Sequence, residues 1–146
     1  MKQILVCALA GILAMLPAAV RAQGAKVYKA RLSPVPVAAY TPTVVGLGTV
    51  TATLSGTTLA IAGSFDGLNS AATVARVYKS DKPGMRGTAL FDLTATSGTS
   101  GTIAGQLDLT APQVQELAQG RYYVQLNSEK AAEGNLWGWL LSQEKK

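Results

Sequence analysis

The chain of 146 residues has no histidine and one cysteine. Imidazole is the usual acid–base group near neutral pH, and with thiolate it is the commonest ligand of zinc, copper and haem iron. Without it no Ser/His or Cys/His nucleophile pair can be built. There is no C-x-x-C-H haem site, no glycine-rich phosphate loop ahead of a helix and no metal-ligand spacing. The acids Asp66, Asp92, Asp108, Glu116, Glu129 and Glu133 form no close pair on one expected strand face. The expectation is a protein without catalysis of its own, without a metal and without a cofactor.

The single cysteine, Cys7, falls in an N-terminal segment with the layout of a secretory signal. Lys2 supplies the basic start. Ile4 to Leu16 is an uncharged apolar run of 13 residues, shorter than the about 20 that span a bilayer. Val20 and Ala22 fit the −3 and −1 positions for cleavage after Ala22. The expected division is a signal over 1–22 and one domain over 23–146, exported to the periplasm with no disulfide. Loss of Lys2 and Arg21 lowers the formal charge from +5 to +3. That suits solubility and gives no reason to expect a nucleic-acid partner.

Past residue 24, short alternating runs separated by turn residues read as β-strands. They cover Lys26–Leu32, Gly48–Leu54, Thr58–Phe65, Ala72–Lys79, Thr88–Thr94, Thr102–Leu109, Arg121–Ser128 and Asn135–Leu141. Ser55-Gly56-Thr57 joins two of them as a tight hairpin. Pro34, Pro36 and Pro42 mark Ser33–Thr43 as a crossing without ladder bonds. Ser80–Gly87 reads as a long, solvated polar loop and Glu129–Gly134 as a charged one. One helix is expected over Ala111–Gln119, with Thr110 and Gln113 as a capping box, Pro112 in the first turn and Gly120 at its end. About eight short strands with one short helix predict an all-β fold: an antiparallel, Greek-key-like β-sandwich or barrel.

The order of several segments resembles the CHRD domain, a module of exported proteins. They are Tyr28–Ser33, Gly48–Leu54, Phe65–Leu68, Ala71–Ala75, Phe91–Thr94, Tyr123–Ser128 and Gly134–Gly138. The resemblance implies a His-x-His pair on the middle strand and a further histidine after the Tyr-Val strand. This chain has Arg76, Tyr78 and Asn127 there, so any metal or polar ligand gathered by those histidines is lost; arginine stays protonated and cannot ligate a metal. The run from Tyr123 to Leu141 is similar to the small, cofactor-free subunit of the membrane-bound quinohaemoprotein (PQQ) alcohol dehydrogenases of acetic acid bacteria. That similarity implies an accessory subunit on the outer face of the cytoplasmic membrane. It would contact a quinoprotein dehydrogenase subunit and a cytochrome c subunit during ethanol oxidation, and reach the membrane only through them. The alternative is a free-standing periplasmic module that binds a small ligand, a polymer or another protein.

Two groups of side chains are candidate sites. On the last strand Trp137, Trp139 and Leu141 share one side, and Leu136, Gly138 and Leu140 the other. Either the strand is buried on both faces, or the tryptophans form an oily patch that docks a partner. Tyr40, with Val35 and Val37 in the proline crossing, would extend that patch or fold onto the barrel end. Arg76, Tyr78 and Asn127 form a second group, joined by Glu129: a satisfied hydrogen-bond network or a ligand site.

Overall fold

The computed structural model describes residues 24–37 and 41–144. The expected signal segment with Cys7, and Tyr40, lie outside the described residues. Among the described residues no helix is long and apolar enough to cross a membrane.

Strict alternation builds the first hairpin. Strand β1 (Lys26–Pro34) buries Tyr28, Ala30 and Leu32 and leaves Lys29 and Arg31 exposed. Strand β2 (Leu47–Ser55) buries Val50, Ala52 and Leu54, and β3 (Thr58–Asp66) buries Leu59, Ile61 and Phe65. Ser55 pairs with Thr58 across Gly56, whose φ of +63° suits the first position of a two-residue hairpin loop.

The remaining strands are β4 (Ala72–Lys79), β5 (Thr88–Ala95), β6 (Gly101–Asp108), β7 (Tyr122–Ser128), β8 (Ala131–Trp139) and the short β9 (Leu141–Ser142). Their spatial order is β2-β3-β6-β5-β4-β7-β8-β1-β9, with a further β2–β1 pairing. The pairings are antiparallel, and the sheet closes into an eight-stranded barrel plus one extra strand. β3 lies beside β6, and β7 beside β4, around the β4-β5-β6 meander, which is Greek-key order. β1 shuts the ring. One edge pairs with β2 along Lys26–Leu32; the other meets β8 at Ser33–Pro34 and β9 at Tyr28–Lys29. Closure removes the exposed sheet edges that invite aggregation.

The helix α1 (Ala111–Ala118) has the expected capping box: Gln113 N–H donates to Thr110 Oγ1 and Thr110 N–H to Gln113 Oε1. Its buried Leu117 joins the barrel core. Glu116 accepts from Lys79 Nζ at 2.5 Å and from the Tyr122 hydroxyl at 2.7 Å, tying α1 to β4 and β7.

Three expectations need correction. The last strand begins at Ala131, so the charged loop shrinks to a turn at Glu129-Lys130. Ala, Glu and Gly are poor strand formers, but a buried pair holds the segment: Ser128 Oγ donates to Asn135 Oδ1 at 2.7 Å. The same strand breaks at Leu140, and Leu141 pairs with Lys29 in β9. The proline crossing starts later than expected, because Ser33 and Pro34 still pair with Trp137 and Leu136.

Most of the apolar core fills the barrel. A second cluster lies elsewhere: Val35, Tyr123 and Trp137, with Tyr78 and Trp139 packed against them.

Candidate functional site

The second cluster sits on the outside of the barrel. β7 turns Tyr122, Val124 and Leu126 into the barrel core, so Tyr123 and Gln125 face out. The register sets Tyr78 opposite Tyr123, Tyr123 opposite Trp139 and Gln125 opposite Trp137. Outward residues of three adjacent strands therefore form one surface.

Four rings meet there. Tyr78 stacks on Tyr123 with centroids 5.1 Å apart and planes 10° from parallel. Trp139 lies 4.7 Å from Tyr123, and Trp137 lies edge-on to Trp139 at 4.7 Å. Edge and offset contacts of this kind add about 0.5–1.5 kcal/mol each beyond the area they bury.

A loop covers the rings. The segment between β4 and β5 exposes residues 81–87, yet three of its groups reach back to the cluster. Trp139 Nε1–H donates to Ser80 Oγ at 3.1 Å. Gly87 N–H donates to the Tyr123 hydroxyl at 3.0 Å. The Arg86 guanidinium lies 6.0 Å above the Trp137 ring, and its Nη1 donates to the Glu133 carbonyl at 3.1 Å. Arg121 braces the start of the loop through Ser80 O and Asp81. The expectation of a merely solvated polar loop therefore needs correction: its ends are fastened to aromatic side chains. Burial, aided by the Tyr78 hydroxyl and opposed by the Gly87 N–H, raises the Tyr123 hydroxyl above its ordinary pKa.

Val35 covers the cluster from the other side, and its N–H donates to the Asn135 carbonyl at 3.0 Å. Asn135 is wholly buried and donates from Nδ2 to Val45 O at 2.7 Å, which pins the far end of the proline crossing. Between crossing and loop lies a hollow of about 220 Å³, lined by Val37, Val44, Arg86, Lys130 and Glu133, a small volume beside typical ligand pockets. Val37 and Met85 are 46% and 45% exposed.

The sequence-predicted residues separate as follows. Trp137, at 8% exposure, and the half-buried Trp139 are together in the outer cluster. Leu141, 50% exposed, is not with them; it lines a different groove beside β1. Arg76 and Tyr78 are neighbours, and Arg76 Nε donates to Asp92 Oδ1 at 2.7 Å. That bond, then the one with Tyr78, raises the pKa of the half-buried Arg76. Asn127 instead accepts from Gln125 Nε2 at 3.0 Å, on the row opposite Arg76. Glu129 N–H bonds Ala71 O, and no side-chain link joins it to the group. Among the described residues no cluster of three or more His, Cys, Asp or Glu could hold a metal.

Sequence reasoning missed Met85, Arg86 and Gly87. The one available signal was the glycine at the loop's return, since a Cβ on Gly87 would lie 1.6 Å from the Lys79 carbonyl oxygen.

Compared with known proteins, the chain matches the CHRD domain family over residues 28–140. No curated protein matches it, and no solved structure does.

Proposed function

The chain belongs to the CHRD domain family, and from that membership and its outer aromatic face we propose that it is an exported, non-catalytic contact protein whose partner is another protein. One observation carries the reading: four aromatic rings lie outside the filled barrel, where they seat a loop. Loops positioned by a rigid scaffold are the usual carriers of binding. The rings act as a buttress, and the contact surface is what they hold up: Met85 and Arg86, with Val37 across the hollow. Methionine adapts to an opposing surface, and both methionine and arginine are enriched at interfaces.

In the finer form of the proposal the partner is the quinoprotein dehydrogenase subunit with its cytochrome c subunit. The support is the similarity of the Tyr123–Leu141 run alone. In that setting the domain supplies area and shape, and the larger subunits do the ethanol oxidation. The test is purification of the tagged chain from its own cells in mild detergent. Co-elution of a quinoprotein and a cytochrome c, with ethanol-oxidising activity in the same fraction, is expected. Elution as a lone monomer would overturn both the dehydrogenase assignment and the accessory role, and leave a free-standing binding module.

A further inference from the structure

A second concave surface lies away from the aromatic cluster, on the outer face of β9, β1 and β2. It is a groove of about 670 Å³, within the usual range for small-molecule sites. Its floor is set by register. Lys29 pairs with Thr51 on one side and Leu141 on the other, and Arg31 pairs with Thr49. Lys29 and Arg31, two apart on one strand, project from the same face about 6.6 Å apart along it.

Three features of the lining go together. Among the described residues Lys29 and Arg31 form no ion pair; the cations that do are Arg76, Lys79 and Arg121. No carboxylate lines the groove, and the nearby Glu144 borders a separate hollow beside Lys26. Thr49 and Thr51 place hydroxyls next to the two cations. Leu47 and Leu141 line the same groove at 64% and 50% exposure, two of the four large apolar side chains left open among the described residues. The two leucines stand on opposite flanks of the cation pair, Leu141 beside Lys29 and Leu47 beyond Thr49 on β2.

We infer that this groove binds an amphiphilic carboxylate, a fatty-acid-like anion, with the head between Lys29, Arg31 and the threonine hydroxyls and the chain over Leu47, on one flank of the cation pair. Charge selects the head: two cations without a protein counter-ion complement one or two negative charges. Apolar area selects the body, because each CH2 removed from water adds about 0.8 kcal/mol. A simple inorganic anion would leave Leu47 wet, and an uncharged detergent would leave both cations unanswered. The site is independent of the β4–β5 loop, so its failure would leave the proposed protein contact standing.

The experiment is a titration of the full domain with dodecanoate below its micelle concentration, followed by NMR amide shifts and calorimetry. Saturable shifts centred on Leu47, Thr49 and Thr51 are expected, with acetate and dodecyl maltoside each at least tenfold weaker. The variant Lys29→Gln/Arg31→Gln, altered only at exposed positions, is expected to melt like the parent and bind dodecanoate at least tenfold more weakly. Leu47→Ser is expected to weaken dodecanoate and leave acetate unchanged. The inference is overturned by an absence of saturable shifts in the groove. It is equally overturned by dodecyl maltoside binding as well as dodecanoate, by polyglutamate binding better than either, or by undiminished affinity in the doubly neutralised variant.

Discussion

The indole N–H of Trp139 donates to the hydroxyl of Ser80, 3.1 Å away, and so fastens β8 to the first residue of the β4–β5 loop. Ser80 passes the bond on by donating to Lys82 O at 3.0 Å. Trp139→Phe keeps an aromatic ring beside Tyr123 and Trp137 and removes the donor. It is expected to cost about 1 kcal/mol, the usual net value of such a bond. Ser80→Ala, which also strips the bond to Lys82 O, should cost more, and the double variant should fall short of the sum of the two losses, because the Trp139–Ser80 bond is common to both. Urea melts of the four proteins check this.

Buttress and contact surface should part company under mutation. Trp137→Ala removes a ring that is 8% exposed and packed on Tyr123, Trp139 and Val35. It is expected to lower stability by about 3 kcal/mol, as for aromatic truncation in other cores. Met85→Ser with Val37→Ser, at two exposed positions, should leave the melting temperature within a degree or two and release the partner from the purified complex. Thermal melts and co-elution together decide the matter.

Gly87 returns the loop to β5 so close to β4 that any side chain collides with the Lys79 carbonyl. Gly87→Ala must push the loop outward, at a cost of about 1–3 kcal/mol typical of overpacking. The Gly87 N–H would leave the Tyr123 hydroxyl, so faster hydrogen exchange at residue 87 and red-shifted tryptophan emission are expected.

Asn135 satisfies two groups at once, the buried Ser128 hydroxyl and the half-buried Val45 carbonyl. Asn135→Ala strips both, and each buried group left unpaired costs about 1–3 kcal/mol. Chemical denaturation should show a loss larger than that of Trp139→Phe.

The pH profile should fall at both ends. The Lys79 ammonium, then the Tyr122 hydroxyl, hold the Glu116 carboxyl below its ordinary 4.5. A folded value lowered in this way contributes stability that is complete above 4.5 and is lost as pH falls through the folded value. Glu116→Gln should flatten that acid limb. At the other end, burial raises Tyr28, Tyr122 and Tyr123 above their ordinary 10.0, with Glu144 adding to Tyr28 and Glu116 to Tyr122. Their contribution is complete below 10.0 and is lost as pH rises beyond it. Phenolate absorbance should show these rings ionising late, together with unfolding.

What could be read beforehand was local. Alternation in β1, β2 and β3 gave the inward residues, and Thr110 with Gln113 gave the helix start, because each signal spans a few neighbours. Trp137 and Trp139 were legible as one face of a strand. Their cover was not, since the Ser80 and Arg86 contacts join residues far apart in sequence through the β4–β7–β8 register. The early start of β8 was hidden for the same reason: Ala131–Gly134 has weak strand propensity and is held by Asn135 and Ser128. The CHRD pattern was legible throughout, while Met85 and Arg86 looked like any solvated loop.

Ser33 and Pro34, near the start of the domain, meet Trp137 and Leu136, near its end, and that meeting closes the ring. The first strand therefore waits, with one edge unclaimed, until nearly the whole domain has been synthesised. Contacts of such long sequence separation fold slowly, because the loop must close before any of them rewards it. Under the proposed export this delay is useful: a translocase would thread the polypeptide while it is still linear, and the last residues across the membrane would complete the cylinder on the far side.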